Sequence, residues 1–145
     1  MGAAYWKPVQ SGTADGDDDT RDVGRWAGLA PSRLHPPRYS LGAPLAPDQA
    51  AALEGLRLNL ADFALPPGPG PLVVEGAGGL LVPLNERETL ADLFAVWGLP
   101  LVVVGASGLG TINHTLLTLE AAQRRSLRVA GVLLSGPHIP KTGVP

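Results

Sequence analysis

Three short segments of the sequence hold residues whose types and spacing could do chemistry. The first is Lys7 with Ser11 and Gly12, where Lys7 is one of only two lysines. An ammonium placed just beyond a strand can meet an anion, and a solvated surface lysine is the plainer alternative. The second is Glu75-Gly76-Ala77-Gly78-Gly79. A carboxylate at the end of an apolar strand is costly unless it is paired or metal-bound. The glycines beside it let backbone N–H groups approach a ligand closely. Glu75 joined by an aspartate would make a hard-oxygen Mg²⁺ site, and Asp19 is the natural candidate. A solvated glutamate in a strand-end turn is the bland counterpart. Within Asp17-Asp18-Asp19 one ligand suffices, and the other two read as a solvated, helix-capping run. The third segment, Gly108-Leu109-Gly110-Thr111-Ile112-Asn113, sets a glycine turn directly before a helix N-terminus, a ready anion site. Its spacing fits neither the dinucleotide fingerprint nor the P-loop. His35, His114 and His138 are scattered without metal-ligand spacing and read as structural or surface histidines.

The elements that must position these residues follow from the hydrophobic pattern. Ala3 to Trp6 reads as the tail of a short strand ended by Pro8, followed by a polar, turn-rich stretch to Asp18. A helix is predicted from near Thr20, with Val23, Trp26 and Ala27 on one face and Gly28 as its stop. Prolines 31, 36, 37, 44 and 47 make the next segment loop-like until a short helix over Pro47 to Leu53. Leu56 to Leu65 is read as holding a turn or two of helix before the breaker Pro66-Pro67-Gly68-Pro69-Gly70-Pro71. Beyond it the pattern is more regular. Strands are predicted at Leu72 to Glu75, Leu101 to Val104 and Val129 to Leu134, and continuous apolar runs of this kind read as buried. Helices are predicted over Thr89 to Trp97, with Leu90, Leu93, Phe94 and Trp97 on one face, and over Thr111 to Arg125. Strand, loop and helix in repetition predict an open α/β fold, a parallel sheet flanked by helices. Ligands of such sheets bind outside the carboxyl ends of the strands, where all three segments lie.

Composition narrows the function classes. The 145 residues are 45% hydrophobic, enough for one domain with a real core. Nineteen glycines and 15 prolines stop just short of a low-complexity composition. A net charge of −2 offers no basic surface for nucleic acid or anionic lipid. The absence of cysteine excludes a disulfide scaffold, an iron–sulfur cluster, a cysteine nucleophile and a thiolate zinc site. The N-terminus lacks the pattern of a secretory signal, and Leu99 to Gly105 is far too short to span a membrane. The sequon Asn113-His114-Thr115 is therefore read as coincidence, and the expected location is cytoplasmic.

Taken in order, four blocks resemble the dethiobiotin synthetase family of ATP-dependent ligases. They are Tyr5-Trp6-Lys7-Pro8-Val9-Gln10-Ser11-Gly12, Asp19 with the helix to Leu29, Val74 to Leu84, and Gly108 to Thr118. The resemblance covers Tyr5 to about Gly136. It implies a P-loop NTPase-like fold, ATP and Mg²⁺, and a homodimer. It implies the reaction of 7,8-diaminopelargonate, CO₂ and MgATP to dethiobiotin, ADP and phosphate. By the same resemblance Lys7 neutralises the carbamate and γ-phosphate, and Ser11 hydrogen-bonds the carbamate or the diamine. Asp19 and Glu75 are the implied Mg²⁺ ligands. The backbone of Gly76, Ala77 and Gly78 lies against nucleotide and substrate, Ser135 and Gly136 stand on the adenine side, and Thr111, Ile112 and Asn113 hold the substrate carboxylate at a dimer interface.

The sequence also departs from the family. The phosphate loop should precede the Tyr5 strand within a unit of on the order of 30 residues. Here four residues stand before Tyr5, and no Gly-Lys dipeptide occurs. Ser135 replaces the expected adenine-side asparagine, the helix before Leu72 is cut short, and Pro137 to Pro145 resembles nothing in the family. The expectation is a single partial domain over residues 1–145, incomplete at both ends, that by itself binds MgATP poorly and turns over little or nothing. The sequence is also compatible with two other readings: a non-catalytic remnant acting as a binding or dimerising module, and another P-loop relative such as a cobyrinate-type amidase or a partitioning ATPase. The Lys7–Ser11 block weighs against the last.

Overall fold

The computed structural model describes residues 2–136; His138 and the remainder of 137–145 lie outside them. Internal contacts divide the chain into two units, Met1–Leu93 and Phe94–Pro145.

In the first unit, strand β1 (Ala4–Trp6) is followed by β2 (Val9–Gln10), helix α1 (Asp19–Ala27), β3 (Leu34–His35), β4 (Tyr39–Ser40), helix α2 (Pro47–Leu53) and β5 (Leu72–Val74). β1 is central in a parallel ladder of order β3-β1-β5, and β2 pairs parallel with β4. α1 begins where its sequence says it should. The Asp18 side chain accepts the Arg21 N–H at 2.9 Å, and Gly28 closes the helix in the left-handed conformation. The helix sits close on β3 because Gly24 lacks a side chain: a Cβ there would meet Leu34 Cδ1 at 2.6 Å. That contact corrects the predicted face. Gly24 is the buried residue, whereas Trp26 is 74% exposed. Val9, Leu41, Leu58, Phe63, Leu84, Leu90 and Leu93 are buried and supply the core.

Helix α3 (Leu90–Trp97) runs across the division, burying Leu90, Ala91 and Leu93. In the second unit Phe94 and Trp97 stack at 5.8 Å. Strand β6 (Leu101–Ala106), helix α4 (Thr111–Arg124) and strand β7 (Val129–Ser135) follow, with β6 and β7 paired parallel. Every strand pairing described is parallel, as the repeated strand–loop–helix pattern predicts. Burial of the apolar strands is the expectation that fails. Val102 and Val104 are 60% and 65% exposed, and Val73 in β5 is 55% exposed. A fully apolar strand buries both faces only when both are covered. α4 lies over the Gly105 side of β6, where a Cβ would meet the Thr111 and Thr115 hydroxyls. Val102 and Val104 alternate onto the opposite face. The Pro-rich segment holds two short strands, β3 and β4, that the loop reading passes over. No helix among the described residues is long and apolar enough to cross a membrane.

Candidate functional site

Strand register assembles the first site. Trp6 pairs with Val74 across the β1–β5 ladder, and the Glu75 N–H continues it by donating to the Trp6 carbonyl at 3.0 Å. Lys7 and Glu75 therefore leave adjacent parallel strands at the same level, at their carboxyl ends. The Lys7 Nζ donates to Glu75 Oε1 at 3.0 Å. It also donates to Asp19 Oδ2, from the first turn of α1. Asp19 is tied down through its backbone, whose N–H donates to Gln10 Oε1 at 3.1 Å.

The solvated-surface alternative for Lys7 does not hold. Lys7 is buried, only 8% exposed, while the Asp19 and Glu75 side chains remain 43% and 44% exposed. Burial alone would lower the pKa of the ammonium. The hydrogen bonds and charges of Asp19 and Glu75 more than offset it, so the net shift is upward and the charge is locked on.

Two carboxylates that converge on one ammonium nitrogen also converge on one point in space. Mg²⁺ takes one or two carboxylates and completes its octahedron with waters and phosphate oxygens. The Asp19–Glu75 donor set fits that requirement. Among the described residues no group of three or more His, Cys, Asp or Glu gathers, so an all-protein cage is not what these residues offer.

The neighbouring residues are placed by turns. Ser11 follows β2, half-buried, and its carbonyl accepts the Gln10 Nε2–H at 2.9 Å. Gly12 adopts φ +79°, and its N–H donates to Ala43 O at 3.0 Å. After Glu75 the chain turns through Gly76, buried Ala77 and Gly78, the last at φ +85°.

The third segment belongs to the second unit. Gly110, at φ +92°, caps α4 without a side-chain bond, and Thr111, Ile112 and Asn113 form its first turn. Ile112 and Asn113 are exposed, and the Thr111 Oγ1 is buried without a hydrogen-bond partner. A cavity of about 120 Å³ lies beside it, lined in part by Gly105, Thr111, His114 and Thr115. Ser135 ends β7, accepting the Ser107 N–H at 3.0 Å, and Gly136 follows close against Ser107.

Two residues of the first site escape a reading by residue type. One is Gln10, which holds Asp19. The other is Tyr5, 4% exposed, whose hydroxyl donates to Glu75 Oε2 at 2.7 Å. Desolvation, then the bond and the charge of Glu75, raise the tyrosine's pKa beyond the ordinary range. Its signal is the two-residue period of a strand, which sets Tyr5 and Lys7 on one face of β1.

Known proteins resemble this chain over most of its length. The chain is 53% identical over 135 residues to the biotin biosynthesis bifunctional protein BioCD of Bordetella avium, covering 93% of this chain and 29% of that protein. It is 52% identical over 140 residues to the ATP-dependent dethiobiotin synthetase BioD of Novosphingobium aromaticivorans, covering 96% of this chain and 66% of the relative. Against BioD of Afipia carboxidovorans it is 47% identical over 137 residues, covering 94% and 65%. The chain thus spans just under two thirds of these dethiobiotin synthetases. Residues 1–143 match the family model described as AAA domain, AAA_26. The parallel α/β architecture and this match together establish that the chain belongs to the AAA_26 family of P-loop NTPases.

Proposed function

We propose that this chain is the portion of an ATP-dependent dethiobiotin synthetase that carries its cation-binding carboxylates and its carbamate lysine. The reaction joins 7,8-diaminopelargonate to CO₂ at the expense of ATP. One amine is carbamated, the carbamate oxygen attacks the γ-phosphate, and the second amine closes the ureido ring by expelling phosphate. Each step gathers negative charge on oxygen, so positioned cations carry much of the catalysis. Lys7 supplies such a cation at the carboxyl ends of β1 and β5, held protonated by Asp19 and Glu75. Ser11 hydrogen-bonds the carbamate or the diamine. The Gly76–Gly78 backbone lies against nucleotide and substrate, with Ser135 and Gly136 toward the adenine. The start of α4, Thr111 to Asn113, takes the substrate carboxylate at the interface of a homodimer. Mg²⁺ held by Asp19 and Glu75 would neutralise phosphate charge when bound. The family match over residues 1–143 supports reading both units as parts of one domain. A cysteine-free composition and a small-molecule reaction support a cytoplasmic location.

The observation that carries this reading is the convergence of Asp19 and Glu75 on the Lys7 ammonium. The test is growth of a biotin auxotroph lacking dethiobiotin synthetase, transformed with the full-length gene of which this chain is the proposed portion. Wild type is expected to restore growth without biotin, and Lys7→Ala is not. Failure of the wild type, or equal growth with both, overturns the assignment.

A further inference from the structure

We infer that Tyr5 is a positioning residue for Glu75, fixing which carboxylate oxygen is presented to a cation. This rests on the proposed reading of Asp19 and Glu75 as a divalent-cation site and adds a residue to it. The geometry is specific. Glu75 Oε2 accepts the Tyr5 hydroxyl at 2.7 Å, and Oε1 accepts the Lys7 ammonium at 3.0 Å. The two oxygens of one carboxylate are thus divided between a neutral donor and a cation. Tyr5 is nearly buried, within a parallel ladder on both sides. The bond therefore comes from a rigid element rather than a loop.

The division has a chemical consequence. With Oε2 tied to Tyr5, Oε1 is the Glu75 oxygen presented to a cation, the one that the Lys7 ammonium holds here, and this favours a monodentate ligand. Mg²⁺ suits that mode because it keeps several waters and resists the narrow bite of a bidentate carboxylate. The tyrosine also stops the carboxylate from rotating its second oxygen toward Lys7. Groups that orient a metal-ligating side chain in this way commonly change metal affinity by about 10–100-fold when removed.

The probe is Mn²⁺, titrated into the full chain and followed through the EPR signal of the free ion, for wild type, Glu75→Gln and Tyr5→Phe. Glu75→Gln is expected to lose most of the affinity, and Tyr5→Phe to weaken it about tenfold with native circular dichroism retained. If Glu75→Gln weakens binding while Tyr5→Phe stays within about twofold of wild type, Tyr5 has no positioning role. If Glu75→Gln changes nothing, the cation site itself is wrong and the role of Tyr5 falls with it. A measurement on the wild-type chain covers the case in which Tyr5→Phe does not fold. The chain holds two tyrosines, Tyr5 and Tyr39, so ζ-¹³C labelling gives two resonances, assigned with Tyr39→Phe. Mg²⁺ is expected to move the Tyr5 resonance and leave that of Tyr39, and an unmoved Tyr5 resonance overturns the proposal.

Discussion

Replacing Lys7 with methionine keeps an unbranched apolar stem but removes the ammonium between Asp19 and Glu75. Two carboxylates then face each other without the cation they share. Loss of one partner of a dry ion pair costs about 3–5 kcal/mol. Here the carboxylate side chains are 43% and 44% exposed, so water screens them and takes up much of the charge left behind. Each pair then sits nearer the surface value of roughly 1 kcal/mol, and the two together contribute about 2 kcal/mol. For a chain of this size that lowers the thermal midpoint by roughly 4–8 °C. The same deletion removes the cation that competes with a metal for these oxygens. Mg²⁺ should therefore raise the midpoint of Lys7→Met more than that of wild type, since a ligand stabilises the state it binds. The assay is thermal unfolding followed by circular dichroism, for both proteins, with and without Mg²⁺. A variant melting within about 1 °C of wild type and no more responsive to Mg²⁺ refutes the shared-cation reasoning.

Three further outcomes follow from the geometry. Tyr5 and Lys7 both have raised pKa values in the folded chain, Tyr5 chiefly through desolvation and Lys7 through its carboxylates against the opposing effect of burial. Their stabilisation is present below the unfolded values of 10.0 and 10.5 and is lost as pH climbs through the folded ones, so unfolding midpoints should fall steadily above about pH 10. Asn85→Ala should destabilise by about 2 kcal/mol in urea unfolding. That side chain is buried, donates to Leu58 O at 2.7 Å and accepts the Arg87 N–H at 3.0 Å. Asp18→Ala removes the α1 cap and should cost about 1 kcal/mol in the same assay, while Asp18→Asn should cost much less.

The parts of the site that were legible in the sequence are those fixed by position along an element. Lys7 and Glu75 follow apolar strands, and Asp19 opens a helix, so residue type and strand end sufficed to mark them. Tyr5 required more. Its role depends on the β1–β5 register and on the alternation of side chains, and neither is visible until the strands are paired. β3 and β4 are hidden for a different reason. Each is two residues long within a proline-rich stretch, and their pairing partners lie far away along the chain. The burial expected of the apolar strands failed because burial is a property of layers. Leu101 to Val104 reads identically whether one face of its ladder is covered or both, and here Val102 and Val104 are open. Likewise the Trp26 face of α1 looked apolar, but the tight contact that seats the helix is made by Gly24 and Leu34.

The parallel pairing of β1 with β5 also sets a timetable. Glu75 follows Lys7 by 68 residues, and the intervening chain must be synthesised before the two can meet. At about 5–20 residues per second of translation, Lys7 waits roughly 3–14 seconds for its second carboxylate. During that interval Asp19 is already available, but the β5 side of β1 is an open edge exposing unpaired backbone groups. The cluster is thus a chronological marker: the Lys7–Asp19 contact can form early on the ribosome, and the Tyr5–Glu75 and Lys7–Glu75 contacts report that the sheet has closed around its central strand.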